Sequence, residues 1–241
     1  MKKAGKKPDE LAEPKPNEAE INSAWKEAES VGMQILESRS TTAPTKNHRR
    51  ALANALSLPP FPDTMALLLS GILTAYSRPE MFNLMLHLEL VSQPYRSPIH
   101  FQSHLSSYKT MLALLPRALL PFVTPRNFRA IASRDVHNSF GIWSHPGDST
   151  AEMLGFGIWP DASFFNHSCA PNMGTKDRLG RAWEFRSSKQ IQKDEELFIS
   201  YLSLEELEEM DAFARRERLQ NVWGFECSCH RCRIEIEGNE S

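Results

Sequence analysis

Three of the chain's four cysteines, Cys227, Cys229 and Cys232, crowd into six residues near the C-terminus. An even number of cysteines allows two disulfides, but thiols packed this densely suit a metal knot better than two bridges. The opening MKKAGKKPDE is basic and lacks a following apolar stretch, so it does not read as a secretory signal. Without an export signal a metal is the better reading. Zn²⁺ prefers four tetrahedral thiolates in structural sites, and the cluster is one ligand short. Cys169 is the remaining cysteine, and His230, inside the cluster, is its rival as fourth ligand.

The rest of the composition bounds the answer loosely. With 241 residues, 41% hydrophobic and 24% charged, the chain has room for one large domain or two small ones. A formal net charge of −2 gives no argument for nucleic acid or an acidic membrane. No uncharged apolar run approaches the roughly 18 residues of a membrane helix. The expectation is a soluble protein of the nucleus or cytoplasm, with no direct nucleic-acid binding and no membrane.

Residues 1–20 are rich in Lys, Pro, Glu and Ala, and read as a disordered tail. Residues 21–136 read as a helical block. Trp25, Ala28, Val31, Ile35 and Leu36 mark a helix over 22–37, followed by a loop to Pro44. A second runs over 64–77, capped by Asp63 and stopped by Pro79; others cover 81–90, 99–114 and 125–138. The Met and aromatic stripes of these helices are those of an ordinary core. Near residue 139 glycines begin to punctuate short apolar stretches such as Phe140–Trp143. Residues 183–186 and 196–201 read as strands. A last helix over 204–221 opens on a capping box, Ser203 and Glu206. Its later arginines, Arg215, Arg216 and Arg218, need only a solvated face to explain them.

Four pieces of the last 90 or so residues point to one chemistry. They are Asn166-His167-Ser168-Cys169 with Pro171 and Asn172, the run Glu195–Tyr201, Trp223–Cys227, and the clustered cysteines. In this order and spacing they resemble the C-terminal half of the SET domain with its post-SET cysteines. The stretch Gly155–Pro160 running into Ser163–Cys169, and the lead-in Asn138-Ser139-Phe140, look like the SET and MYND (SMYD) subfamily. The specific match covers about 137–233. The implied fold class is α+β: a helical block over 21–136 like that subfamily's insert, a small mainly-β SET core over 137–203, and a helical zinc-binding post-SET segment over 204–241.

The resemblance implies an S-adenosylmethionine-dependent protein-lysine N-methyltransferase acting on histone or non-histone protein. It makes Tyr201 the catalytic tyrosine. Asn166 and His167 would hold the cofactor, Phe225 would pack on its adenine, Trp223 stands where Tyr is usual, and Ser163 adds a polar contact. It also brings Cys169 to Cys227, Cys229 and Cys232 as the fourth zinc ligand. The residue types suit the task. Aromatic faces attract both adenine and a cationic lysine chain. Neutralising that lysine at pH 7 costs roughly 4.6 kcal/mol, which desolvation beside a sulfonium reduces.

Several positions depart from the family pattern. No Gly-x-Gly strand pair and no cysteine module precede residue 130, so the chain reads as N-terminally incomplete, with one sheet edge exposed. Ala170 stands where Asp is usual, and Asp194 where Gly is usual before Glu-Glu-Leu. A non-catalytic SET-like interaction module is the alternative reading.

Overall fold

In the computed structural model, residues 14–59, 61–144, 152–179 and 182–239 are described. The chain divides into two units, Met1–Val136 and His137–Ser241. The first is helical. The second combines short strand pairs with helices, so the class is α+β.

Helix α1 (Glu18–Ser40) begins on a capping box: the Asn17 side chain accepts from the Glu20 N–H, and the Glu20 carboxylate accepts from the Asn17 N–H. The tail expected over 1–20 therefore ends before Glu18, and its first 13 residues lie outside the described ones. Helix α2 (Lys46–Leu56) adds to the expected helices; it buries only Ala51 and Ala55, which give a weak periodic signal. Helix α3 (Pro62–Ser77) has Pro62 in its first turn, with Asp63 inside that turn instead of capping it. Pro79 opens helix α4 (Pro79–Leu86), which ends four residues short of the expected boundary. Helices α5 (Pro98–Leu114) and α6 (Pro125–Asn138) fall where periodicity placed them.

The helical unit is centred on Trp25. Its ring meets Phe101, Tyr108 and Phe128 edge-on, and its Nε1–H donates to the Tyr95 hydroxyl at 3.1 Å. Gly32 allows the close approach of α1 to α5. A Cβ there would lie 2.7 Å from Leu112 and 2.8 Å from the Tyr108 hydroxyl. The aromatic stripes are core.

The second unit opens with an antiparallel pair, β1 (Ser139–Trp143) and β2 (Met153–Ile158), and a short helix α7 (Pro160–Ser163). Strand β3 (Asn166–His167) is followed by an antiparallel pair, β4 (Met173–Leu179) and β5 (Ala182–Ser187). The chain then returns to lay β6 (Phe198–Ile199) parallel to β3, pairing Asn166 with Phe198 and His167 with Ile199. The strand expected over 196–201 is thus two residues long. The helix expected over 204–221 is two helices, α8 (Leu204–Glu209) and α9 (Ala212–Trp223). Met210 is extended, and the Asp211 carboxylate restarts the helix by accepting the Ala214 N–H at 2.8 Å. Helix α10 (His230–Asn239) completes the unit.

Candidate functional site

The turn after α9 and the first turn of α10 bring the clustered cysteines to the loop that follows β3. All four sulfurs, of Cys169, Cys227, Cys229 and Cys232, lie within 4.8 Å of one another, and none is in a disulfide. Cys169 Sγ stands 3.9 Å from Cys227 Sγ and 3.5 Å from Cys232 Sγ. Four thiolates at Zn–S distances of about 2.3 Å in a tetrahedron would be about 3.8 Å apart, so the donor set fits this ion. Cys169, not His230, completes the set.

Protonation of the cluster is shared. The Cys169 thiol donates to Cys227 and is buried, and both effects raise its pKa. The same hydrogen bond, reinforced by His167, lowers that of Cys227 against the opposing effect of burial.

Arg215 lies against this cluster, not on the solvated face that the charge pattern of its helix suggests. It is 0% exposed. Its guanidinium donates to the Met210 carbonyl at 2.6 Å and to Glu235 at 2.6 Å, and reaches Cys232 Sγ at 3.8 Å. Burial alone would lower its pKa, but Glu235 and the sulfurs raise it, so the charge stays. Arg231 adds bonds to the Cys169 and Leu207 carbonyls and to Glu235. A tetrathiolate with a divalent ion carries two net negative charges, and a buried cation offsets part of them.

Beside the knot stands Tyr201. Its ring lies 5.3 Å from His167, 5.4 Å from Trp223 and 6.1 Å from Phe225, centroid to centroid. His167 and Phe225 are 6.0 Å apart. The Tyr201 hydroxyl donates to the Phe165 carbonyl at 2.8 Å. Its backbone N–H donates to His167 Nδ1 at 3.0 Å, and His167 Nε2 lies 3.2 Å from Cys169 Sγ. Both imidazole nitrogens are therefore engaged within the protein. Asn166, the preceding residue of β3, is exposed and donates to Glu196 at 2.7 Å. Successive strand residues face opposite sides, which separates the Asn166 amide from the His167 ring.

Ser163 is engaged elsewhere. Its hydroxyl donates to the carbonyls of Asn138 and Trp159, at 2.8 and 3.0 Å, and fastens α7 to the start of β1.

Asn172 carries more than the sequence revealed. It is 4% exposed. Its amide donates to the Glu196 carbonyl at 2.8 Å and the Glu195 carboxylate at 3.1 Å, and accepts the Phe198 N–H at 2.7 Å. It thereby holds β6 in place and, through it, Tyr201. Its place in the Asn166–Asn172 motif was visible, but its partners, some 25 residues on, were not. Asp194 explains a departure noted in the sequence. Its φ is +64°, in the left-handed region that glycine adopts freely.

The chain matches the family described as SET domain over residues 24–202, which takes in most of the helical unit. It is similar to the "Potential protein lysine methyltransferase SET6" of Saccharomyces cerevisiae, 34% identical over 140 residues, 58% of this chain and 36% of that protein. It is also similar to the "Histone-lysine N-methyltransferase ASHR2" of Arabidopsis thaliana, 30% identical over 134 residues, 52% of this chain and 32% of that protein. The "Histone-lysine N-methyltransferase SMYD3" of Homo sapiens is 36% identical over 110 residues, 45% of this chain and 23% of that protein. The alignments thus span about a third of these relatives' length or less. A family match over this much of the sequence, together with the β3–β6 pair and the aromatic cluster beside four thiols, places the chain in the SET-domain family.

Proposed function

We propose that the protein is an S-adenosylmethionine-dependent protein-lysine N-methyltransferase whose C-terminal segment is held by a structural zinc ion. The observation that carries this reading is the convergence of Tyr201, His167, Trp223 and Phe225, from three separate segments, against a four-thiol knot.

S-adenosylmethionine supplies an electrophilic methyl group on a sulfonium. The faces of Trp223 and Phe225 offer an adenine and a cationic side chain what they prefer, a polarisable π surface. Tyr201 donates its phenol proton to the Phe165 carbonyl, which fixes the position of an oxygen that can stabilise positive charge. Asn166, exposed at β3, and the β3 backbone offer polar groups to the cofactor. The cysteines do no chemistry; they pin Trp223 and Phe225 beside Tyr201. The substrate would be a protein bearing a target lysine, histone or otherwise. The protein would work in the nucleus or the cytoplasm.

Calorimetry with S-adenosylmethionine on the zinc-loaded full-length protein tests the cofactor; affinity no better than millimolar overturns the reading. For the chemistry, the full-length protein is given labelled cofactor and a protein extract. Tyr201→Phe should keep cofactor affinity and lose about 100-fold in methyl transfer, the scale of losing one preorganised polar group. Equal labelling by both proteins removes Tyr201 from the chemistry.

A further inference from the structure

We propose that His167 is a positioning residue, a strut that couples the cysteine knot to the backbone of Tyr201. The parallel ladder of β3 and β6 ends at Ile199, where the Ser168 N–H donates to the Ile199 carbonyl at 3.0 Å. Tyr201 lies two residues beyond, past the reach of the strand pairing. Its N–H is taken instead by the His167 ring, at 3.0 Å.

An imidazole nitrogen that accepts carries no proton, so the ring's proton sits on Nε2. That N–H is directed at Cys169 Sγ, 3.2 Å away. One end of the ring thus grips the Tyr201 peptide and the other a sulfur of the knot. The ring is 8% exposed and packs against Tyr201 and Phe225, which restricts its rotation.

A metal ion held by the four thiols would fix Cys169 Sγ in place, and through the contact with Nε2 the ring and the Tyr201 peptide. Coupling of this kind is reciprocal: what orders Tyr201 also helps retain the ion. The consequence for methyl transfer rests on the function proposed above; the mechanical link does not.

Two variants separate the two bonds. His167→Asn keeps an acceptor near the Nδ1 position and loses the reach to Cys169. His167→Gln keeps a donor near the Nε2 position and loses the acceptor. In the full-length protein, exchange of zinc for cadmium should shift the Tyr201 amide resonance. In His167→Gln that shift should vanish, while the amides of Cys227 and Cys229 still respond. A Tyr201 shift that persists in the variant overturns the proposal. His167→Asn should release zinc to a chromophoric chelator about tenfold faster, the lower end of losses seen when a partner of a metal ligand is removed. Unchanged release overturns it as well. A protein that shows the metal-dependent Tyr201 shift but binds no S-adenosylmethionine keeps the strut and loses the methyltransferase reading.

Discussion

Asp194 occupies a turn in which the Glu195 N–H donates to the Gln192 carbonyl at 3.1 Å and the backbone turns left-handed. A side chain there pays a steric penalty that glycine avoids. Asp194→Gly should raise stability by up to about 1 kcal/mol and Asp194→Val should lower it by a similar amount or more, read from denaturant midpoints. A second residue sets a pH limit on the helical unit. Burial pulls the His104 pKa down to about 4, against the opposing bond its ring makes to the His100 carbonyl at 2.9 Å. The unfolded chain takes up a proton near pH 6.5 that the folded ring refuses until about pH 4. Stability is therefore lost as pH falls through that window, by about 3 kcal/mol. Unfolding followed by far-ultraviolet circular dichroism at both ends of the window should show this slope in the parent and a flatter one in His104→Leu. Neither residue's role could be read locally, since φ and burial are set by the surrounding chain.

Helix α9 carries the site's aromatic end. Its last residue is Trp223, and Gly224 turns the chain left-handed at φ 78° so that Phe225 and Cys227 fold back against Tyr201 and Cys169. A Cβ at Gly224 would meet only His137, at 3.7 Å. Gly224→Ala should therefore cost about 1 kcal/mol through conformation alone, measured as a lowered unfolding midpoint. At the other end, Asp211→Ala should cost about 1 kcal/mol by removing the N-cap. Elements with strong periodicity or clear caps were legible in sequence: α1, α3, α5, α6 and the capping box of α8. Those with weak local signals were not. Helix α2 buries two alanines, and β6 is two residues held by Asn172 and by pairing with a distant strand. The break between α8 and α9 is hidden in a span whose charge pattern suits one continuous helix, and only the structure shows Asp211 as a cap.

For the molecule as a whole, the thiol knot ties the loop after β3 to the ends of α9 and α10. Chelation should raise hydrogen exchange in peptides covering 164–174 and 198–232 and leave α5 protected; uniform loss of protection would contradict this. The thiols must shed protons to hold the ion, so metal affinity should fall as pH falls. By itself the sequence determined the chemistry: four thiols, an aromatic tail, the Asn166–Cys169 and Glu195–Tyr201 runs, and the helices whose periodic faces demand a core. Tertiary structure decided which of those atoms meet. It set the His167 ring between Tyr201 and Cys169, buried Arg215 beside Cys232, gave Asn172 the task of holding β6, and turned Ser163 toward Asn138. Spacing along a chain fixes neighbours only within a turn or a pleat. Hydrogen bonds between residues 25, 34 or 36 apart, such as those of Ser163, His167 and Tyr201, depend on the path of everything in between.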